Sequence, residues 1–194
     1  MMKTLQVKTG RPYEIRIERG CLRRCGALIR SVSKAQKAAV ITDSNVGPLY
    51  AGVAAASLKE AGFHTFTHVF PAGEGSKALC SIGDMLSFLA GNAFTRGDLI
   101  VALGGGVTGD MAGFAAAIYM RGIDYIQIPT SLLAQIDSSV GGKRGRPAQG
   151  KICAAHSGSR GWFSSTGASL HLPPAFCRRM RRRLNTAVFT TRPV

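Results

Sequence analysis

No stretch of this 194-residue chain strings together the roughly 20 apolar residues that a membrane span needs. The opening, MMKTLQVKTGRPYEIRIERG, lacks the apolar core of a signal peptide. Both absences point to a cytoplasmic protein without a membrane partner. Cysteine never occurs as C-x-x-C, and the five thiols, Cys21, Cys25, Cys80, Cys153 and Cys177, make an odd number. That argues against a disulfide framework or a thiolate zinc site and for reduced, structural thiols. Acidic residues vanish after residue 143: residues 144–194 hold ten Lys and Arg with no Asp or Glu, whereas residues 1–143 hold 15 against ten.

That charge break is the main organisational feature. The formal net charge of +15 invites a nucleic-acid or acidic-membrane partner. The first 143 residues alone have a modest excess of base, unremarkable for an enzyme that handles anionic substrates. The length suits one ordinary domain, and 45% hydrophobic residues with 24 glycines describe a globular chain.

Along residues 1–143 the hydrophobic pattern alternates between two periods. Residues 13–18 (YEIRIE) alternate apolar and polar as a half-exposed strand does, so a hairpin or edge element opens the chain. Residues 21–32 predict a short helix with Leu22, Cys25, Leu28 and Ile29 on one face. The run AAVITD at 38–43 predicts a buried parallel strand whose polar tip faces a ligand crevice. A helix over 46–61 stopped by Gly62, a strand over 63–70 and a helix over 78–91 follow. A strand over 98–103, a helix over 110–120, a strand over 125–130 and a helix from Ser131 complete the series. Regular alternation of strand and helix predicts an α/β fold, a parallel sheet with helices on both faces.

His64 and His68 fall within one predicted strand. Four residues of strand separate their rings by roughly 13 Å, too far to share a metal ion.

The segment LGGGVTGDMAG at 103–113 contains G-x-G-x-x-G directly after a strand. Glycines there let the backbone turn sharply and approach a ligand, and the following helix N-terminus adds about half a positive charge. A pyrophosphate suits such a cradle. The segment follows the third strand of the alternating series, not the first βα turn of the dinucleotide fingerprint. Asp43, at the tip of an earlier strand, supplies an acid for the ribose or adenine end. Three more polar clusters follow strand ends: Glu74 with Lys77, Thr130 with Ser131, and DSSVGGK from Asp137 to Lys143. Their common position at strand tips of one sheet predicts a polar site.

These residues carry a resemblance. The run DLIVALGGGVTGDMAGFAAAIYMRGIDYIQIPTSLLAQIDSSVGGK at 98–143 closely resembles the 3-dehydroquinate synthase family, with TDSNV at 42–46 and PAGEGSK at 71–77 in the matching order ahead of it. The resemblance covers about residues 5–143. It implies a Rossmann-like NAD-binding α/β domain, normally followed by a C-terminal α-helical domain that supplies the metal ligands. The implied reaction converts 3-deoxy-D-arabino-heptulosonate 7-phosphate to 3-dehydroquinate and phosphate, with bound NAD and a divalent metal, zinc or cobalt. Asp43 resembles a nucleoside contact, and Glu74 and Lys77 resemble ribose and phosphate contacts. Gly105, Gly106, Val107, Thr108, Gly109 and Asp110 resemble the pyrophosphate and nicotinamide segment. Thr130 and Ser131 match a Thr-Thr pair, with serine keeping the hydroxyl. Asp137 and Lys143 are implied near the reacting centre, and Arg121 is implied to reach a substrate phosphate across a homodimer interface. Another sugar-phosphate cyclase of the same superfamily is the alternative.

Past Lys143 the resemblance stops. The metal-ligand motif M-A-E-x-x-K-Y-G is missing, so no metal ligand is assigned. Lys151 to Ser157 is compatible with codons that, read from the third base, encode Asn-Leu-Cys-Gly-Ala-Phe. Met180 to Ala187 in the same offset is compatible with Ala-Glu-Ala-Val-Lys-Tyr-Gly. LHLPPAF at 170–176 resembles the family in the frame as written, so more than one insertion or deletion is implied. We therefore expect residues 144–194 to be mostly out-of-frame translation, disordered, leaving a truncated and inactive chain. The rival reading is a nucleic-acid-binding tail acting through the five arginines of Arg178–Arg183; sequence favours the former.

Overall fold

The computed structural model describes residues 3–7, 13–18 and 20–135. The expectations for Asp137, Lys143 and the whole basic segment 144–194 lie outside these residues.

Two antiparallel strands, β1 (Lys3–Val7) and β2 (Tyr13–Ile17), pair with Lys3 opposite Ile17 and Val7 opposite Tyr13. This is the expected hairpin. The segment expected as one helix over 21–32 divides into a tight turn at Cys21–Arg24 and a short helix α1 (Cys25–Arg30). Leu22, Cys25 and Ile29 of its predicted apolar face are buried, and Leu28 is half-buried.

The main sheet has four strands, β3 (Lys37–Asp43), β4 (His64–Phe70), β5 (Leu99–Gly104) and β6 (Asp124–Pro129). All neighbours are parallel, and the order across the sheet is β4-β3-β5-β6. The crossovers carry α2 (Gly52–Glu60), α3 (Leu79–Gly91) and α4 (Gly106–Ile118). A wider-wound turn at Gly47–Ala51 precedes α2, so the helix expected over 46–61 begins irregularly. Gly62, with φ +82°, ends it as predicted, because that left-handed backbone suits a residue without Cβ.

Strand residues point alternately to two cores. Ala39, Ile41, Ile100, Ala102 and Tyr125 pack with Ile82, Met85 and Leu89 of α3 and Met111, Ala112 and Ala115 of α4. Ala38, Val40, Leu99, Val101, Leu103, Ile126 and Ile128 pack on the other face with Cys25 and Ile29 of α1 and Ala54 and Leu58 of α2. β3 and β5 are covered on both faces and so need apolar residues at nearly every position, which explains why they read as continuous apolar runs. Each fully buried Leu, Ile or Met stabilises by about 1.5–3 kcal/mol.

One boundary differs in a way that matters. The helix expected from Asp110 starts at Gly106, with Gly105 as its extended N-cap. Glycine's poor helix propensity hides a first turn that packing enforces: Thr108, Gly109, Met111 and Ala112 are all buried. The glycine segment is therefore chiefly the opening turn of α4, not a loop ahead of it.

Candidate functional site

β3 sends its chain to α2 on one face, whereas its neighbour β5 sends its chain to α4 on the other. A crevice opens between two such strands at their C-terminal ends, where open α/β sheets take ligands. The residues at this point are Asp43 from β3 and Gly104, Gly105 and the first turn of α4 from β5.

Asp43 is half-buried and closes its own turn: its Oδ1 accepts the Asn45 N–H at 2.9 Å and the Val46 N–H at 3.0 Å. Its Oδ2 accepts the Thr108 hydroxyl at 3.0 Å. The next loop is joined to the first, since Ser44 Oγ accepts the Ala72 N–H at 3.0 Å. Gly73, with φ +112°, then starts a tight turn at Glu74–Ser76, leaving Glu74 exposed above the crevice.

Lys77 ties this loop to α4. Its ammonium lies 3.0 Å from Asp110 Oδ2 and 3.2 Å from Glu74 Oε2. Partial burial pulls its pKa down, but hydrogen bonds and attraction from Asp110 and Glu74 outweigh this and hold it above the ordinary lysine value. The cation is therefore poised beside the α4 N-terminus, where a ligand phosphate would meet both.

Thr130 and Ser131 complete the rim. The Thr130 N–H donates to the Gly104 carbonyl at 2.9 Å. Ser131 Oγ accepts the Ala134 N–H at 3.3 Å, so the serine caps the following turn. A Cβ added at Gly105 would sit 3.4 Å from Ser131 Oγ, so these loops meet with only a side-chain-sized gap between them.

The structure thus gathers Asp43, Glu74, Lys77, Gly105, Gly106, Val107, Thr108, Gly109, Asp110, Thr130 and Ser131 at one edge of the sheet. Arg121 is not with them. It lies in the turn Tyr119–Arg121 beyond the far end of α4, roughly 18 Å along a helix of this length, and it is exposed. Met120, Arg121 and Gly122 have φ of +50°, +65° and +116°, an unusual left-handed run. Sequence reasoning missed Tyr125 and Gln127, which support α4 from beneath. The Tyr125 hydroxyl donates to the Gly109 carbonyl at 2.8 Å, and burial pushes its pKa well up. The reason for glycine at 109 is tertiary, because a Cβ there would lie 2.0 Å from Gln127 Nε2.

Among the described residues no group of three or more His, Cys, Asp or Glu could hold a metal ion. His68 lies against Phe88, with ring centroids 5.0 Å apart, and burial lowers its pKa despite Asp84. No described helix is long and apolar enough to cross a membrane.

Fold and site together define an open, doubly wound α/β domain with a glycine-opened helix at its switch point. Residues 67–151 match the family model described as 3-dehydroquinate synthase N-terminal. The chain is 54% identical over 134 residues to the 3-dehydroquinate synthase of Streptococcus suis strain 05ZYH33, and 50% identical over the same length to that of Streptococcus pneumoniae strain ATCC 700669. Each match covers 69% of this chain and 38% of the relative. Residues 67–151 thus resemble the N-terminal part of 3-dehydroquinate synthases, and the chain spans little more than a third of the curated relatives it matches.

Among solved structures, 2-deoxy-scyllo-inosose synthase complexed with carbaglucose-6-phosphate, NAD+ and Co2+ superimposes with a TM-score of 0.75 at 26% identity, covering 89% of this chain and 47% of that one. ValA, the 2-epi-5-epi-valiolone synthase of Streptomyces hygroscopicus with NAD+ and Zn2+ bound, gives 0.68 at 24% identity, covering 91% and 49%, a likeness of fold alone.

Proposed function

We propose that residues 1–143 are the NAD-binding domain of a 3-dehydroquinate synthase. The carrying observation is the convergence of Asp43, Lys77 and the opening turn of α4 on one switch point. These residues fit a dinucleotide. The N–H groups of the first turn of α4 and the Lys77 ammonium suit the pyrophosphate. Asp43 and Glu74 offer acceptors for ribose hydroxyls, and Thr130 and Ser131 offer hydroxyls at the rim. The NAD+ of the solved 2-deoxy-scyllo-inosose synthase complex supports the same reading.

When bound, NAD supplies a reversible hydride acceptor. Asp110, held by Lys77, would orient the nicotinamide end, and Asp137 and Lys143 would stand near the reacting carbon. Arg121, remote from the crevice of its own chain, would hold the phosphate of a substrate bound by the second subunit of a homodimer. The leaving phosphate is a dianion, and a cation placed there steadies its growing charge. The substrate would be 3-deoxy-D-arabino-heptulosonate 7-phosphate and the products 3-dehydroquinate and phosphate. The described residues do not fit a zinc or cobalt site. We further propose that residues 144–194 are mostly out-of-frame sequence and that residues 1–194 by themselves are inactive. The 26%-identical synthase favours one second reading, a different sugar-phosphate cyclase.

Calorimetric titration of the full chain with NAD tests the first proposal: saturable heat supports it, and none refutes it. Phosphate release from the heptulosonate phosphate, with NAD and zinc or cobalt added, tests the second. Turnover by this chain would overturn the inactivity proposal.

A further inference from the structure

Thr108 lies in the glycine segment, where the resemblance implies contact with the cofactor. Its side chain cannot make one, because the residue is 0% exposed. Its hydroxyl instead crosses the switch point and donates to Asp43 Oδ2 at 3.0 Å.

Three features show that the site is built around this bond. In a helix interior a threonine hydroxyl can bond the carbonyl four residues back. Thr108 is the third residue of α4, so that position is Gly104, the last residue of β5, whose carbonyl accepts the Thr130 N–H at 2.9 Å across the sheet. Gly104 also makes the required room, since a Cβ on it would fall 2.2 Å from Thr108 Oγ1 and 2.6 Å from Thr108 Cβ. Finally, the other oxygen of Asp43 holds the Asn45 and Val46 N–H groups. A single carboxylate therefore joins the exit loop of β3 to the first turn of α4.

Gly106 and Gly109 contribute no side chains to that turn; other polar tethers are the Tyr125 bond to the Gly109 carbonyl and the Lys77 bridge to Asp110. To the apolar packing of α4 on β3 the Thr108 bond adds a directed tie to the β3 exit loop, across which the ligand would lie.

We propose that Thr108 is a positioning residue that acts through Asp43. The bond fixes the first-turn N–H groups and Asp110 at one distance from the β3 loop, so that both walls of the crevice meet a dinucleotide already in place. Pre-organisation of this kind raises affinity without touching the ligand. The inference rests on the NAD reading above and assigns Thr108 a role different from the contact its motif implies.

Thr108→Val keeps the volume and removes the donor, whereas Thr108→Ser keeps the donor and removes the methyl group. On the full chain, three measurements separate the outcomes: NAD titration by calorimetry, thermal melting, and hydrogen exchange of amides 104–110. Loss of a hydrogen bond to a charged acceptor predicts about tenfold weaker NAD binding by Thr108→Val, measured well below its melting temperature, with faster exchange over 104–110. Thr108→Ser should bind within about twofold of the parent.

Unchanged NAD affinity in Thr108→Val would overturn the proposal, as would a folded Thr108→Ser that binds as weakly as the valine variant. A lower melting temperature with unchanged affinity would assign a structural role only and also overturn it. If the parent chain itself gives no heat with NAD, the functional reading fails, and exchange decides the brace separately. Unchanged protection of 104–110 in Thr108→Val would then reject it.

Discussion

Tyr125 donates its hydroxyl to the Gly109 carbonyl at 2.8 Å, so the opening turn of α4 rests on β6. A Cβ on Gly109 would meet Gln127 Nε2 at 2.0 Å and Tyr125 Oη at 3.7 Å. Gln127 is buried and has little freedom to withdraw. Gly109→Ala should therefore lose about 1–3 kcal/mol of stability by overpacking, more than the gain of about 1 kcal/mol in helix propensity. Adding Gln127→Ser should recover part of that loss. Urea unfolding of the single and double variants measures the coupling, and additive losses would exclude a steric cause.

Thr42 poses the opposite case. It is fully buried in β3, beside Val69 and Leu103, and its Oγ1 finds no partner among the described residues. A buried hydroxyl without a partner costs roughly 1–3 kcal/mol, and valine fits the same space. Thr42→Val should leave stability unchanged or raise it by about 1 kcal/mol, read as a higher urea midpoint.

The N-terminal edge of the sheet depends on Asp98, which is 5% exposed. Its carboxylate accepts the Lys37 N–H at 3.0 Å, the Thr95 N–H at 2.7 Å and the Thr95 hydroxyl at 2.9 Å. Asp98→Ala strands these donors and should destabilise by about 3 kcal/mol. NAD affinity measured well below the melting temperature should hold, because the crevice is at the other edge.

Lys77 gives a pH signature. Asp110 and Glu74 overcome the effect of burial and raise its pKa, so folding favours the charged form. Its contribution is complete below the ordinary lysine value near ~10.4 and fades as pH rises through the raised value. The urea midpoints of the parent and Lys77→Met should differ slightly at pH 8, begin to converge above about pH 10.4 and meet once the pH has passed the raised value. An equal difference at both would remove the bridge from the account.

The thiols differ sharply in environment. Cys80 is exposed, Cys21 and Cys25 are buried, and burial pushes the Cys25 thiol up to about 11. Thiolate is the reactive form. Iodoacetamide at pH 8 should therefore label Cys80 in the native protein and reach Cys25 only in urea, as peptide mass mapping would show.

Much of the architecture was legible in the primary structure, for identifiable reasons. β3 and β5 are covered on both faces, so their apolar runs are unbroken and easily read. The parallel order follows from helices interposed between strands. Asp43, Glu74, Lys77, Thr130 and Ser131 were placed at strand ends because polar residues directly after buried strands emerge at one edge. The start of α4 was misjudged by four residues because glycine propensity argues against a helix that Met111 and Ala112 bury by packing. Arg121 showed its chemistry but not its distance, which the length of α4 sets.

Local patterning determined the strands, the helices, the polar strand tips and the family resemblance, because side-chain periodicity and turn chemistry act between near neighbours. Which strand tips adjoin was decided only by the sheet order β4-β3-β5-β6, and that order set Asp43 beside Thr108, 65 positions along the chain. Gly104 and Gly109 took their meaning the same way. Their missing Cβ atoms matter only because folding brings Thr108 and Gln127 within 2.2 Å and 2.0 Å of where those atoms would be. Steric exclusion of that kind belongs to packed three-dimensional contacts, and no linear spacing encodes it.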